Sequence, residues 1–451
     1  MRTESIYWFI VLLTFVYIIY KNKNSSVKIL IILCFYSGLA ASFGKEIENP
    51  YKIILVLISV YLLINNNGLS GLSKREKLLL FVFILFSISF LFSVTANGGY
   101  FKLVFSQYGK YVTPICTYYI FKRILIKNPN TFIYLNKLFF SLFTIQILLS
   151  VVKILTLGLQ ESVVGSISNV GGGLATPLPV FGFILVWIHK QGVITKKDWL
   201  YISMLLLIGF ASYKRAIWFI MPSIIFMFMY FVPKKISFTR LLYYFPLIPL
   251  IFYAGVRLNP SLNKEGKIGG SFDLQYALNY AQIYSFGKTS QINEEQPRQG
   301  RGGAAFLLWD KLFNSKSLSF NDYWGFGLEE IYTVDYEKFD IDKFGISNKG
   351  AASGLFQSYI VGGYIGIFVT ILLVISVLGL IKEPRIRLTM ALLLFWDYFF
   401  YSGLILRTQA LFILLFFIII YSNLQFEQRL YRKYSSLRVD DKNSNLRPQA
   451  F

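Results

Sequence analysis

The chain has 451 residues, of which 55% are hydrophobic, 18% aromatic and only 15% charged, and its formal net charge is +22. This balance excludes a soluble globular enzyme. With two cysteines and one histidine in all, it also excludes a disulfide framework and a Cys/His metal site.

Apolar runs of about the 20 residues that a bilayer-crossing helix needs recur along the chain. They are rich in Leu, Ile, Phe and Val and bounded by charged clusters, unlike the short alternating segments of a lipid-facing barrel. Thirteen candidate spans fall at 5–20, 27–43, 50–65, 78–95, 103–121, 133–156, 175–189, 199–212, 215–232, 241–256, 353–380, 388–403 and 407–422. The fold class expected is an all-α polytopic membrane protein with about 12–14 transmembrane helices. The first run, "SIYWFIVLLTFVYIIY", follows a single Arg and lacks a small-residue cleavage site, so it reads as a retained span. Cys34 and Cys116 fall inside spans.

The loops after alternate spans read "KNKNSS", "GLSKREK", "KRILIKNPN", "HKQGVITKKD", "PKKISFTR" and "KEPRIR". With the tail "QRLYRKYSSLR" they place 25 of the 45 Lys and Arg, but only 6 of the 23 Asp and Glu, on one side. By the positive-inside rule that side is cytoplasmic. The basic surplus therefore reports topology, and no nucleic-acid partner is implied.

Four regions follow: spans 1–10 over 1–257, an extracytoplasmic cap over 258–352, spans 11–13 over 353–422, and a basic cytoplasmic tail over 423–451. The cap segment holds 12 acidic and 10 basic residues. It is too long for a simple connector. Two stretches within it have helical spacing, "DLQYALNYAQIYSF" (273–286) and "AAFLLWDKLF" (304–313).

The same parity puts Lys214 and Arg215 of "SYKRAIWF" in a tight outer turn, against the charge rule. Arg257, Arg298, Arg301 and Arg407 fall on the same outer side. Snorkelling anchors are the ordinary reading of such a pair. Six cations around one cavity instead suit a pyrophosphate, because guanidinium forms paired hydrogen bonds to phosphate oxygens. In "QPRQGRGGAAFLLWDKLF", Arg301 and a Gly pair precede a predicted helix whose amides attract an anion. Lys110 and Asp397 are ionisable residues inside spans, where a charge faces a partner or a hydrated cavity. Asp322, Glu329 and Glu330 of "NDYWGFGLEEIY" are general-base candidates by location. Tyr280, Tyr284, Trp309, Tyr323 and Trp324 are among the aromatics of the cap segment, candidates to fill its core. His189, the only histidine, stands at a cytoplasmic helix end, so chemistry on the outer face does not use imidazole. No P-loop is present, so bond energy comes from the substrate itself.

The stretch "GRGGAAFLLWDKLFNSKSLSFNDYWGFGLEE", followed by "SNKGAASGLFQSYIVGGYIGIF", resembles the O-antigen polymerase (Wzy) and O-antigen ligase superfamily. The shared features are an Arg, a Trp-containing helix, a Gly-x-Gly turn and a small-residue lead into a Gly-x-x-Gly span. "SYKRAIWF" is similar to that family's Arg-bearing motif at an outer helix turn. The resemblance implies a GT-C-like, metal-independent glycosyltransferase without cofactor, in the bacterial cytoplasmic (inner) membrane, its site facing the periplasm or exterior. It implies undecaprenyl-pyrophosphate-linked oligosaccharides and membrane lipids as partners, and a chain-length regulator as a further one.

Carried over by residue, Arg215 and Arg301 match the substrate-phosphate arginines, with Lys214 and Arg407 as neighbours. Ligases of the superfamily place a His just before the span after the large loop. Here that stretch reads "GISNKGAASG", which favours a polymerase. Glu329 or Glu330 is then the candidate proton acceptor. The alternatives are a ligase or O-oligosaccharyltransferase, and a lipid-linked oligosaccharide flippase.

Overall fold

The computed structural model describes residues 3–22, 26–98, 101–128, 131–160, 162–167, 175, 177–189, 195–212, 217–218, 246–286, 300–315, 317–332, 340–346, 352–382, 384–401, 403 and 406–420. Every regular element among them is helical. The helices are α1 (Thr3–Lys21), α2 (Ser26–Phe35), α3 (Ser37–Ser42), α4 (Lys45–Asn65), α5 (Lys74–Ala96), α6 (Phe101–Lys127), α7 (Thr131–Leu157), α8 (Pro177–His189) and α9 (Lys196–Ala211). After α10 (Leu247–Leu258) come five helices of the cap segment: α11 (Leu274–Phe286), α12 (Gly303–Asn314), α13 (Phe320–Trp324), α14 (Glu329–Tyr332) and α15 (Ile341–Phe344). The described chain closes with α16 (Gly354–Gly379), α17 (Pro384–Phe400) and α18 (Thr408–Ile420).

Within α1, α4, α5, α7 and α16 lie five stretches long and apolar enough to cross a membrane. The protein is an all-helical, multi-pass membrane protein. Both helical stretches expected in the cap are present as α11 and α12. The span at 215–232 and the tail at 423–451 lie outside the described residues, apart from 217–218.

Two runs expected as single helices are broken, each for a visible reason. The run at 27–43 divides at Tyr36 into α2 and α3. There the backbone groups released by the break pair with the segment 162–167. The Ser166 hydroxyl donates to the Phe35 carbonyl at 3.1 Å, and the Gly38 amide donates to the Ser166 carbonyl at 2.9 Å. Irregular backbone at membrane depth persists only where such partners bury it.

The run at 353–380 kinks at Gly363, whose φ of 62° belongs to the left-handed region that glycine tolerates. Into this kink the cap inserts α13 and the turn after it. The Phe326 amide donates to the Ile360 carbonyl at 2.7 Å, and the Ser93 hydroxyl donates to the Val361 carbonyl. The approach is so close that a methyl group on Gly363 would overlap the Tyr323 carbonyl, and one on Gly325 would overlap Val361. The Gly-x-Gly turn and the glycine-bearing span thus pack against each other.

The strongest helix pairings are α16 with α5 and α4 with α6. At the centre stands α18, in which every residue from Ala410 to Ile420 is buried. A helix apolar on all faces finds its place inside a bundle. Phe412 meets Phe35 at 6.2 Å, and Phe416 stacks on Phe139 at 4.3 Å.

Contacts sort the loops into two ends. At one, Arg75 donates to the Gly379 carbonyl at 2.9 Å, Lys122 pairs with Glu76 at 3.3 Å, and the Lys28 ammonium lies 4.0 Å from the Tyr134 ring. These residues belong to, or directly adjoin, the basic loops. At the other end Asn97 meets Gly325, Gln409 meets Ser37, and Ser37 meets Ile167.

Candidate functional site

At the end away from the basic loops, Arg301 packs on the short segment between α17 and α18, and Arg407 closes that segment. That segment follows α17. The main-chain carbonyl of buried Asp397 accepts from the amides of Tyr401 (2.9 Å) and Gly403 (3.3 Å), which turns the chain back into the bundle. The Tyr401 carbonyl then accepts from the Gly354 amide at 3.0 Å, joining this turn to the start of α16. The Arg301 guanidinium lies 5.0 Å from the centre of the Tyr401 ring. A cation over an aromatic face is held there electrostatically.

Arg407 immediately precedes α18, so the central helix carries it to the middle of this end. It is half-buried, and its Nε is enclosed without a hydrogen-bond acceptor among the described residues. Arg301 stands in turn just before α12, whose N-cap residue, Gly302, supplies no side-chain hydrogen bond to the first turn. Amides at such a helix start favour a negative charge. Lys110 of α6 is half-buried within electrostatic reach of Arg407, Lys52 and Glu48.

Beside this segment a cleft opens between α5, α6 and α16. Phe86, Phe90, Tyr111, Leu328, Gly362 and Leu406 are among its lining residues, so the wall is chiefly apolar. Leu406 adjoins Arg407 directly, and Leu328 adjoins Glu329.

The other candidates are placed differently. Lys214, Arg215 and Arg298 lie outside the described residues. Arg257 closes its own loop, donating through Nε to the Gly270 carbonyl at 3.0 Å and through a terminal nitrogen to that of Gly269 at 3.4 Å. Glu330 pairs with Lys343 at 2.7 Å, whereas Glu329 is half-buried at the start of α14.

Asp322, a base candidate by location, is a buried ion. It pairs with Lys311 at 2.5 Å, accepts from the Tyr359 hydroxyl, and closes a capping box with Ser319. Burial alone would push its carboxyl up. The Lys311 ammonium, the Tyr359 hydroxyl and the Ser319 donors outweigh that and hold its pKa down, from 3.8 to about 2. A carboxylate so stabilised is a poor proton acceptor near neutral pH. Of the cap aromatics, Trp324 stacks near Phe92 at 4.2 Å, while Trp309 and Tyr323 are exposed.

Sequence reasoning passed over Lys153, an ionisable residue three positions from the end of the run at 133–156. It is almost wholly buried. Its ammonium donates to the Ser162 carbonyl at 2.6 Å and lies within 5.5 Å of the Trp8 ring. The signal was a charge inside an apolar run, which near a span's end looks like an interfacial anchor. Comparison with known proteins finds no matching family model, no similar curated protein and no similar solved structure.

Proposed function

We propose that the protein polymerises lipid-linked oligosaccharide repeat units in the bacterial cytoplasmic membrane, on the face opposite its basic loops. It transfers the growing glycan from undecaprenyl pyrophosphate to the terminal sugar of an incoming undecaprenyl-pyrophosphate-linked repeat unit. The observation that supports this reading is Arg301 packed on the Tyr401 ring, with Arg407 six residues further along the chain and next to Leu406, which lines an apolar cleft. A diphosphate on a polyprenyl tail presents both complements at once.

In the reaction, an acceptor hydroxyl attacks the anomeric carbon of the donor sugar. The bond from that carbon to the pyrophosphate oxygen breaks, and undecaprenyl pyrophosphate leaves. Guanidinium groups stabilise the charge that develops on it, an electrostatic contribution strengthened by the low dielectric of the site. The hydroxyl proton passes to a carboxylate. Glu329 is the candidate for this role, because it follows a cleft-lining residue.

The test is to incubate purified protein in lipid nanodiscs with lipid-linked repeat units alone. The expected product is a ladder of longer lipid-linked chains. Product that forms only after a different acceptor is added would reject the polymerase in favour of a ligase or oligosaccharyltransferase. Arg407→Glu loses the ladder and Arg407→Lys keeps part of it; a full ladder from the charge-reversed protein removes Arg407 from the mechanism.

A further inference from the structure

The cap carries an apolar face that its own packing leaves uncovered. One side of α12 buries Gly303, Ala304 and Leu308. On the other, Phe306 and Trp309 are each 66% exposed and Phe313 is 62% exposed, with Leu312 between them at 37%. Spacings of three and seven residues align them along one helix face, and the Trp309 and Phe313 rings touch at 4.5 Å. Large apolar side chains left in water forgo the free energy of burial, so a stripe of this kind calls for a covering medium.

The depth of α12 identifies that medium. The Tyr364 hydroxyl donates to the Leu308 carbonyl at 2.7 Å. Tyr364 lies ten residues inside α16, a membrane-crossing helix. Four residues further along α16, Phe368 is 61% exposed, as a lipid-facing side chain would be. Tyr364 is the first residue past the kink at Gly363, so α12 is tied to the bundle within the run of α16 and not beyond its end.

A second line of contacts agrees. In α13, Phe320 is 56% exposed, and the Phe320 and Trp324 rings pack on Phe92 of α5 at 6.4 and 4.2 Å. Phe92 continues a row of exposed apolar side chains on that span, including Phe81, Ile84 and Ile88. The uncovered aromatics of α13 are thus continuous with the lipid-facing belt of the bundle.

We propose that α12 and α13 are interfacial helices, seated in the leaflet opposite the basic loops, with Phe306, Trp309 and Phe313 among the lipid headgroups and upper acyl chains. Aromatic rings prefer that layer, and a helix with one uncovered apolar face is held there by it. The consequence is positional: Arg301, two residues before α12, is kept at headgroup depth. This inference stands on packing and exposure alone and does not depend on the proposed activity.

Nitroxide labels at Trp309→Cys, Phe313→Cys and Asp310→Cys test it, in full-length protein in nanodiscs of phosphatidylethanolamine and phosphatidylglycerol. Collision with molecular oxygen and with a water-soluble nickel chelate is measured at each site. The oxygen-to-nickel accessibility ratio at 309 and 313 is expected to exceed that at exposed Asp310 several-fold. Equal ratios at the three sites, meaning water, overturn the proposal. So does a label at 313 shielded from both reagents, which means that protein, a second copy or a partner, covers the face. In unlabelled protein Trp309→Phe is expected to remove part of the fluorescence quenched by phospholipids brominated high on the acyl chain; unchanged quenching counts against the assignment.

Discussion

Glu76 and Asp322 stand at opposite ends of the molecule and are built from the same parts. Each is the third residue of its helix and closes a capping box with a serine, Ser73 or Ser319. Each meets a lysine from another element, Lys122 at 3.3 Å or Lys311 at 2.5 Å, and each accepts from a tyrosine hydroxyl, Tyr118 or Tyr359. What they hold differs. Glu76 fastens α5 to α6, two long apolar helices placed largely by the packing of the bundle. Asp322 fastens a five-residue helix into a break in α16, where there is little apolar area to do the same. The same ionic device contributes most where the hydrophobic effect contributes least.

The strongest test of that contrast removes the seat rather than the clasp. Gly363→Val forces a β-branched residue into the left-handed region and against the Tyr323 carbonyl, and should destabilise the protein by about 4 kcal/mol. Gly379→Val, at a position with open space around it, serves as control. Thermal unfolding in detergent reads both; equal shifts in Tm would show that α13 does not depend on the kink.

Next in size, Asp322→Ala strands Lys311 and the Tyr359 hydroxyl and should cost about 3 kcal/mol, against about 1 kcal/mol for Glu76→Ala, a loss near that of its cap alone. Equal losses would sink the comparison. Proteolysis sharpens it, because only the Asp322 variant should release the cap for cleavage while the spans stay intact.

The pH dependence follows from the depressed pKa of Asp322. A carboxyl whose folded pKa is lowered stabilises the fold above its unfolded value and loses that contribution as pH falls through the folded one. About 2 kcal/mol should therefore disappear between roughly pH 4 and pH 2, read as cap cleavage by pepsin. Resistance unchanged down to pH 2 would mean that the ion pair does not hold the cap. The smallest effect belongs to Lys122→Met, whose partner is 3.3 Å away and whose own side chain is 36% exposed. Its cost should stay below about 1 kcal/mol.

Much of this could be read from the residues in order, and much could not. The helices at 274–286 and 303–314 were legible because apolar side chains at helical spacing mark a helix wherever it docks. Arg301 was legible as a cation at a helix start. Its neighbour Tyr401 was not, since the two meet only through the turn that Asp397 closes. Asp322 illustrates the opposite difficulty. Beside Asn321 in a polar-looking stretch, it has the appearance of a solvated loop acid, and only the arrival of Lys311 and of Tyr359, 37 positions later, makes it a buried ion. Lys153 went unnoticed for a related reason: a lysine near a span's end is either an anchor or a core residue, depending on which helix stands beside it.

The sequence by itself determined that the chain is helical and carries several segments apolar enough to cross a membrane, because hydrophobic length acts on each segment separately. Tertiary structure alone decided that α16 breaks at Gly363 to admit the cap, and that Arg301 packs on the Tyr401 ring. It also decided that Asp322 clasps rather than reacts. These outcomes depend on close contacts between residues far apart in the chain, and a bundle of similar apolar surfaces offers no local pattern from which such pairings can be read.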